Sequence, residues 1–343
     1  MKQKYVIGID VSKSKLDCSV INTSLNLQSH SVIENTEKSI SSYLKEMLQT
    51  LKINREDLLV CCENTGIYNR PLERVCIKLG ISLWVEHALK IKRASTDMRG
   101  KSDRKDAFRI AEYAVRYNDR ITTYSEPLHR VKEMNTLIKC RETLLAQKVA
   151  ITNQLREAMS HDVFEYKILN HSYKKALKII ETSIKEVEEK IELIANGDNE
   201  ISRNKELLTS IPGIGNICAV NLIVTTNNFQ SFKNPKHLAC YIGVVPFKNE
   251  SGKVVKKERV SKMANTKIKK LLHMAAMAAV RSDQELKAYF HRKVSEGKNK
   301  MNVLNAVKNK LVHRIIAIIN RNEHFLPQKE FLSNKEKNSC ILT

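Results

Sequence analysis

Two acidic residues near the start of the chain have the types and positions that metal-dependent phosphodiester chemistry requires. Asp10 ends an apolar run that begins at Tyr5, and Glu63 ends a second apolar run that begins at Leu58. Carboxylates at the ends of neighbouring strands can hold Mg²⁺ against a phosphate group. We therefore predict a metal site at the ends of these two strands.

Asp103 and Asp106 complete a set of four acids from the start of a predicted helix. Residues three apart lie on one face of a helix, so both carboxylates can face one ligand. The alternative is an ordinary charged helix start, because the helix dipole favours acids there and Lys101, Arg104 and Lys105 lie nearby. This segment by itself leaves both interpretations open.

A serine in the last third of the chain is a candidate nucleophile. Ser251 precedes Gly252 in a predicted polar loop, residues 247–257, that is rich in lysine. Neighbouring cations can assist the attack of a serine hydroxyl on phosphate, although turn serines beside glycine are also common. The basic residues predicted to contact nucleic acid are Lys248, Lys253, Lys256, Lys257, Arg259, Lys262, Lys267, Lys269 and Lys270.

The charge of the chain is strongly basic and unevenly distributed. The 343 residues carry a formal net charge of +22, and residues 231–343 hold 24 Lys and Arg against 8 Asp and Glu. A basic surface binds nucleic acid by releasing counterions from phosphates, whereas a solvated basic face needs no partner. A hydrophobic content of 42% indicates a globular protein.

The cysteines and the apolar runs restrict where the protein works. Eight cysteines occur without a Cys-x-x-Cys pair, which favours reduced thiols in a cytosolic protein over a zinc site. No apolar run approaches the length of a membrane span. We therefore expect a cytoplasmic protein that has no membrane partner.

Residues 1–122 alternate strand and helix patterns. The predicted strands lie at residues 5–10, 15–21, 31–33, 58–63 and 82–85, and the predicted helices at 40–51, 69–79 and 103–117. Three early strands followed by alternating helices and strands are the order of a ribonuclease-H-like α/β domain.

The middle segment, residues 123–205, has the pattern of two long helices. Apolar residues recur every seven positions from Leu137 to Ala158, and a second apolar stripe runs along residues 173–194. We predict a coiled-coil hairpin that acts as a spacer or dimerisation arm. Its polar face could also bind a nucleic-acid backbone.

Residues 206–330 predict a mostly helical domain, and residues 331–343 a polar tail. Ile211-Pro212-Gly213-Ile214-Gly215 has the form of a helix-hairpin-helix turn, in which backbone N–H groups approach a phosphate. An ordinary glycine turn between packed helices fits the same residues.

These stretches, taken in order, resemble the Piv-like DEDD transposases of the IS110 insertion-sequence family over nearly the whole chain. The matching stretches are Gly8-Ile9-Asp10-Val11-Ser12-Lys13, Leu16-Asp17, Glu63-Asn64-Thr65-Gly66, Lys101-Ser102-Asp103-Arg104-Lys105-Asp106-Ala107, Ile211-Pro212-Gly213-Ile214-Gly215, Gly243-Val244-Val245-Pro246, Ser251-Gly252 and Lys262-Met263-Ala264-Asn265. One position departs from the family pattern, since Ala264 stands where glycine is common. Alanine adopts positive φ less readily, so this turn is expected to differ.

The resemblance implies a RuvC-like domain, then a coiled coil, then a transposase domain. It implies that Asp10, Glu63, Asp103 and Asp106 bind Mg²⁺ and that Ser251 attacks DNA to form a transient phosphoserine link. It further implies a structured noncoding guide RNA that pairs with donor and target DNA. Because strand exchange needs two DNA partners, we expect a homo-oligomer, a dimer or tetramer, associated with a prokaryotic nucleoid.

Three alternatives use the same residues differently. A RuvC-like nuclease or resolvase would use metal-activated water and leave Ser251 incidental. A non-enzymatic nucleic-acid-binding protein would leave the four acids without a role. An actin-like ATPase would use Gly8 in a phosphate loop, but no second glycine-rich phosphate loop follows in the first domain.

Overall fold

The computed structural model describes residues 3–94, 102–160, 166–251, 254–260 and 264–327. The chain divides into two compact units, Met1–Glu126 and Pro127–Thr343. The first unit is an α/β domain, and the second is mostly helical. Among the described helices, none has the length and apolar character that a membrane crossing requires.

The first unit is built on a five-stranded mixed sheet. Its strands are β1 (Tyr5–Val11), β2 (Lys15–Asn22), β3 (Leu27–Glu34), β4 (Leu58–Glu63) and β5 (Ser82–Glu86), in the order β3-β2-β1-β4-β5. The first three strands are antiparallel to one another, whereas β4 runs parallel to β1 and β5 parallel to β4. This order confirms the predicted α/β class and agrees with a ribonuclease-H-like sheet.

Helices cover both faces of the sheet. They are α1 (Glu37–Thr50), α2 (Arg70–Leu79), α3 (Ala88–Ala94) and α4 (Asp103–Arg116). Ile7 and Ile9 of β1 pack with α1 and α2, whereas Val6 packs with Ile110 and Ala111 of α4. Because side chains alternate along a strand, even-numbered residues of β1 face α4. The sequence pattern missed α3 and most of β3.

A close crossing between α4 and β1 depends on Gly8. A Cβ atom at Gly8 would lie 2.3 Å from the carbonyl oxygen of Ala107 and 2.3 Å from the backbone nitrogen of Ala111. Such distances are far below van der Waals contact, so no side chain fits there. Glycine at this position therefore lets the backbone of α4 approach the strand directly.

The second unit contains eight described helices and one described hairpin. The helices are α5 (His129–Ser160), α6 (Tyr166–Asn196), α7 (Asn199–Thr209), α8 (Asn216–Thr226), α9 (Pro235–Ile242), α10 (Thr266–Ser282), α11 (Gln284–Ser295) and α12 (Lys300–Arg321), and the hairpin strands are β6 (Pro246–Ser251) and β7 (Val254–Val260). Its apolar core joins α7, α8, α10 and α12 to the base of α5 and α6.

Helices α5 and α6 form the predicted pair of long helices. Arg141 bonds Glu188 at 2.5 Å, and Lys148 bonds Glu181 at 2.8 Å. The residue number on α6 falls as that on α5 rises, so the two helices are antiparallel. A coiled-coil supercoil and a role in dimerisation remain predictions.

The glycine turn predicted as a helix-hairpin-helix joins α7 to α8. Gly213 has φ +90°, and a Cβ there would lie 2.4 Å from the carbonyl oxygen of Ala275 in α10. The turn therefore packs tightly on α10, as an ordinary packing turn does. Its proposed contact with phosphate remains a prediction.

The predicted polar loop at residues 247–257 is wrong. This segment forms a hairpin in which β6 and β7 pair antiparallel and Ser251 pairs with Val254. The β-branched residues Val254, Val255 and Val260 favour a strand despite the surrounding lysines. Charge content misled the sequence interpretation, because charged residues occur in strands as well as in loops.

The first prediction tests the crossing at Gly8. We expect Gly8→Ala to lower the free energy of unfolding by about 3 kcal/mol, because its methyl group would overlap the α4 backbone. Thermal unfolding followed by circular dichroism measures the change. Gly215→Ala is the control, since Gly215 has φ −91° and open space around its Cβ. A Gly8→Ala protein as stable as the control variant would contradict the crossing.

Candidate active site

The strand register brings Asp10 and Glu63 together at one edge of the sheet. Ile9 pairs with Cys62 in the parallel ladder of β1 and β4, so Asp10 and Glu63 occupy the next positions on adjacent strands. Asp10 lies on the same face as Gly8, which is the face that α4 covers. Both carboxylates therefore point to the α4 side of the sheet.

Asp103 and Asp106 reach the same edge from the first turn of α4. Ser102 caps this helix by accepting a hydrogen bond from the backbone N–H of Lys105 at 3.3 Å. The cap fixes where the helix begins and so sets the direction of its first turn. The crossing at Gly8 then places that turn beside the end of β1.

The charges of the four acids influence the pKa values of Asp10 and Glu63. Burial raises the pKa of Asp10, and the Asp106 and Asp103 carboxylates raise it further. Burial likewise raises the pKa of Glu63, followed by the charges of Asp10 and Asp106. Like charges have this effect only over a limited distance, so Asp10 lies near Asp103 and Asp106, and Glu63 lies near Asp10 and Asp106.

The turn after Glu63 is held by a buried asparagine. Asn69 donates a hydrogen bond from Nδ2 to the carbonyl oxygen of Glu63 at 2.9 Å, and Asn64 accepts one from the N–H of Gly66 at 3.1 Å. Thr65 also bonds the side chain of Asn69. These bonds fix the backbone from which the Glu63 carboxylate projects.

Two cations of the chain bind the acids of α4. Lys15 Nζ lies 2.6 Å from Asp103 Oδ2, and Arg109 Nη1 lies 2.9 Å from Asp106 Oδ1. Within the described ranges, which include all four acids, no three His, Cys, Asp or Glu side chains lie close enough together to hold a metal ion. The four acids therefore lie in one region of the fold without forming a metal-binding group. Asp103 pairs with Lys15, and Asp106 pairs with Arg109.

The donor set nevertheless suits a divalent cation. Carboxylate oxygens are the ligands that Mg²⁺ prefers. Asp10 and Glu63 are partly buried, and each is repelled by neighbouring carboxylates, so a bound cation would relieve an unfavourable interaction. The residues that could hold it are Asp10, Glu63, Asp103 and Asp106.

Asp17 is a fifth acid that the sequence interpretation did not assign to the site. It stands opposite Asp10 in the antiparallel ladder of β1 and β2, is 5% exposed, and raises the pKa of Asp10. Lys15 Nζ lies 3.1 Å from Asp17 Oδ2, so this lysine links Asp17 to Asp103. The sequence does show an acid on the polar side of an alternating strand. It does not show the strand register that places this acid opposite Asp10.

The predicted residues of the second unit are only partly described. Ser251 is the last residue of β6, and its side chain lies outside the described part of the structure. The side chains of Lys248, Lys256, Lys257 and Arg259 on the same hairpin also lie outside it, as do the whole residues Lys253 and Lys262.

Lys267, Lys269 and Lys270 begin α10. Lys267 Nζ lies 2.5 Å from Glu142 Oε1 on α5, so this lysine takes part in an ion pair of the protein. Lys270 is exposed and Lys269 is half-buried. The last two of these lysines are therefore the better placed to meet a ligand.

Two transposase family models match this chain. One, described as the IS116/IS110/IS902 transposase family, matches residues 205–291, and the other, a DEDD transposase model of the IS110 type, matches residues 7–161. The second range contains all four acids of the site, and the first range contains Ser251.

Two relatives and one solved structure extend the comparison. The pilin gene-inverting protein of Moraxella bovis is 26% identical over 94% of this chain and 98% of its own length. The transposase for insertion sequence element IS1111A of Coxiella burnetii is 24% identical over 66% of this chain and 68% of its own. T. thermophilus RuvC in complex with a Holliday junction substrate covers 36% of this chain and 100% of its own at 14% identity. Its TM-score is 0.28, which is too low to support a conclusion.

The second prediction tests the repulsion at Asp10. Without metal ions, we expect Asp10→Asn to raise the free energy of unfolding near neutral pH by roughly 0.5–1 kcal/mol, because a repelled charge is removed. The pKa of Asp10 is raised in the folded protein, so folding favours its protonated form. This contribution to stability is present at low pH and is lost as the pH rises through the folded pKa. The gain should therefore vanish in acid.

Thermal unfolding in EDTA at several pH values measures this gain. Asp119→Asn is the control, because the side chain of Asp119 is 70% exposed and pairs only loosely with Arg120 at 3.6 Å. Destabilisation of Asp10→Asn near neutrality, or a gain that persists in acid, would contradict the proposed repulsion.

Proposed function

We propose that this chain, which matches two transposase family models of the IS110 type, cuts and rejoins DNA with Mg²⁺ and a serine nucleophile. The convergence of Asp10, Glu63, Asp103 and Asp106 at one edge of the sheet carries this proposal. Acids on a rigid sheet edge and a capped helix are suited to position a phosphodiester.

The four carboxylates would bind the metal and thereby orient the scissile phosphate. When bound, Mg²⁺ supplies positive charge that stabilises the charge developing on the phosphate oxygens. Lys15 and Arg109 hold Asp103 and Asp106 in the metal-free protein. Their ammonium and guanidinium groups would then be available to pair with phosphate oxygens.

Ser251 would carry the covalent step. Its hydroxyl oxygen attacks phosphorus, the bond from phosphorus to a deoxyribose oxygen breaks, and a phosphoserine forms. The serine loses its proton, and the departing deoxyribose oxygen gains one. A hydroxyl of a second DNA strand then reverses the step and releases the serine. Each bond broken is replaced by one of the same kind, so exchange needs no energy source.

A structured RNA is the proposed guide for DNA selection. Residues 231–343 carry 24 Lys and Arg against 8 Asp and Glu, a charge that suits the backbones of both RNA and DNA. Base pairing between guide and target would then choose the sequence, and the protein would need few base contacts. Sequencing the RNA that copurifies with the expressed protein tests this partner. Recovery of only random cellular RNA would contradict it.

The third prediction concerns metal binding. We expect millimolar Mg²⁺ to raise the unfolding temperature of the wild-type protein, because a ligand that binds only the folded state stabilises it. The shift should disappear in Asp10→Asn and persist in Asp119→Asn. Differential scanning calorimetry with and without Mg²⁺ measures it. Equal shifts in both variants would place the metal elsewhere.

The fourth prediction concerns the nucleophile. We expect the wild-type protein with Mg²⁺, its copurified RNA and DNA to form a covalent protein–DNA adduct that survives denaturation. Ser251→Ala should abolish the adduct, whereas Ser282→Ala should keep it, because Ser282 bonds a carbonyl of its own helix. A denaturing gel with labelled DNA detects the adduct. Cleavage to free ends in Ser251→Ala at the wild-type rate would instead indicate attack by water.

A further inference from the structure

Lys308 is a buried lysine that has no partner in the described part of the second unit. It lies on α12 with 6% of its surface exposed. No described residue forms a hydrogen bond or an ion pair with its ammonium group. Its side chain is largely buried, but its Nζ atom is not among the described buried polar atoms that lack a partner, so the ammonium group itself reaches solvent. A partly desolvated charge without a partner is unfavourable, and a ligand of opposite charge would stabilise it.

The neighbours of Lys308 make its positive charge still less favourable. α12 packs on α10 through apolar residues that include Val307, Leu311 and Leu272. Burial lowers the pKa of Lys308, and the ammonium of Lys269 on α10 lowers it further. Among the described residues, the charge that acts on Lys308 is therefore that of another cation, and an anion between the two would offset both the desolvation and the repulsion.

The start of α10 adds to this attraction for anions. Three lysines lie among its first five residues, although cations are disfavoured at the N-terminus of a helix. Lys267 is bound to Glu142, whereas Lys269 and Lys270 remain near the positive end of the helix. The lysines and the helix end thus attract the same kind of ligand.

An aromatic ring lies beside this helix start. Tyr241 is 42% exposed, and its hydroxyl lies 3.3 Å from Nδ2 of Asn265, the residue that caps α10. The ring packs on Phe232 with a centroid distance of 5.1 Å, which holds it in place. An exposed, fixed ring beside the start of a lysine-rich helix suits an unstacked base whose phosphate meets the lysines.

We propose that Lys308, Lys269 and Tyr241 form a binding site for one nucleotide of a single-stranded nucleic acid. The two ammonium groups bind its phosphodiester, and the ring of Tyr241 stacks on its base. This site deepens the proposed function by naming a place where the second unit holds an unpaired strand. The binding itself requires neither the four acids nor strand cleavage.

The fifth prediction is that Lys308→Met weakens binding and stabilises the free protein. We expect the affinity for a fluorescein-labelled single-stranded oligonucleotide to fall about tenfold, and the salt slope of log K to shrink by roughly 0.7, because one phosphate contact is lost. The unfolding temperature without nucleic acid should rise by roughly 2–4 °C, because a partly desolvated charge that Lys269 repels is removed. Fluorescence anisotropy in EDTA and thermal unfolding measure the two effects.

Lys310→Met is the matched control. Lys310 lies on the same helix and carries the same charge, but it is exposed and lies 4.7 Å from the ring centroid of Tyr289. We expect this control to change affinity less than twofold. Tyr241→Leu should weaken binding of the single strand about tenfold and leave duplex binding unchanged, because only an unstacked base can reach the ring.

Two outcomes would overturn this site. One is an unchanged affinity and salt slope in Lys308→Met. The other is that inorganic phosphate raises the unfolding temperature of the wild-type protein as much as the oligonucleotide does, which would indicate a site for small anions. Binding is measured in EDTA, so it does not depend on the metal site of the proposed function. Loss of cleavage in Asp10→Asn and loss of this contact in Lys308→Met are therefore separate results.

Discussion

The approach of α4 to the central strand is the constraint on which the candidate active site depends. Only glycine at position 8 allows the α4 backbone to lie so close, since a Cβ atom would meet Ala107 and Ala111 at 2.3 Å. The crossing places the first turn of α4 beside the end of β1. Asp103 and Asp106 thereby come near Asp10, which ends the strand next to that of Glu63.

The fold maintains a cluster of like charges that would separate if the backbone were free to move. Asp10 and Glu63 are partly buried, and their pKa values are raised by burial and by the other acids. The stability of the surrounding sheet offsets this repulsion. Lys308 shows the same principle in the second unit, where a partly desolvated ammonium group lies near another cation. Unfavourable charge placement of this kind is common at sites that bind a ligand of opposite charge.

The sequence predicted those parts of the site that depend on local pattern. Apolar runs that end in Asp10 and Glu63 indicated two strand ends, and a three-residue spacing indicated one helix face. The pairing of Asp17 opposite Asp10 and the contact of Lys15 with Asp103 could not be predicted, because strand register and side-chain contacts depend on tertiary packing. The β6–β7 hairpin was missed because its charged residues were interpreted as a loop.

The central claim is that four carboxylates from two strands and one helix bind a single divalent cation. A crystal of the protein soaked with Mn²⁺ and measured at the manganese absorption edge tests it directly. The account predicts one strong anomalous peak in contact with Asp10 and at least two of Glu63, Asp103 and Asp106. A peak bound only by exposed acids elsewhere, with none at the end of β1, would contradict it.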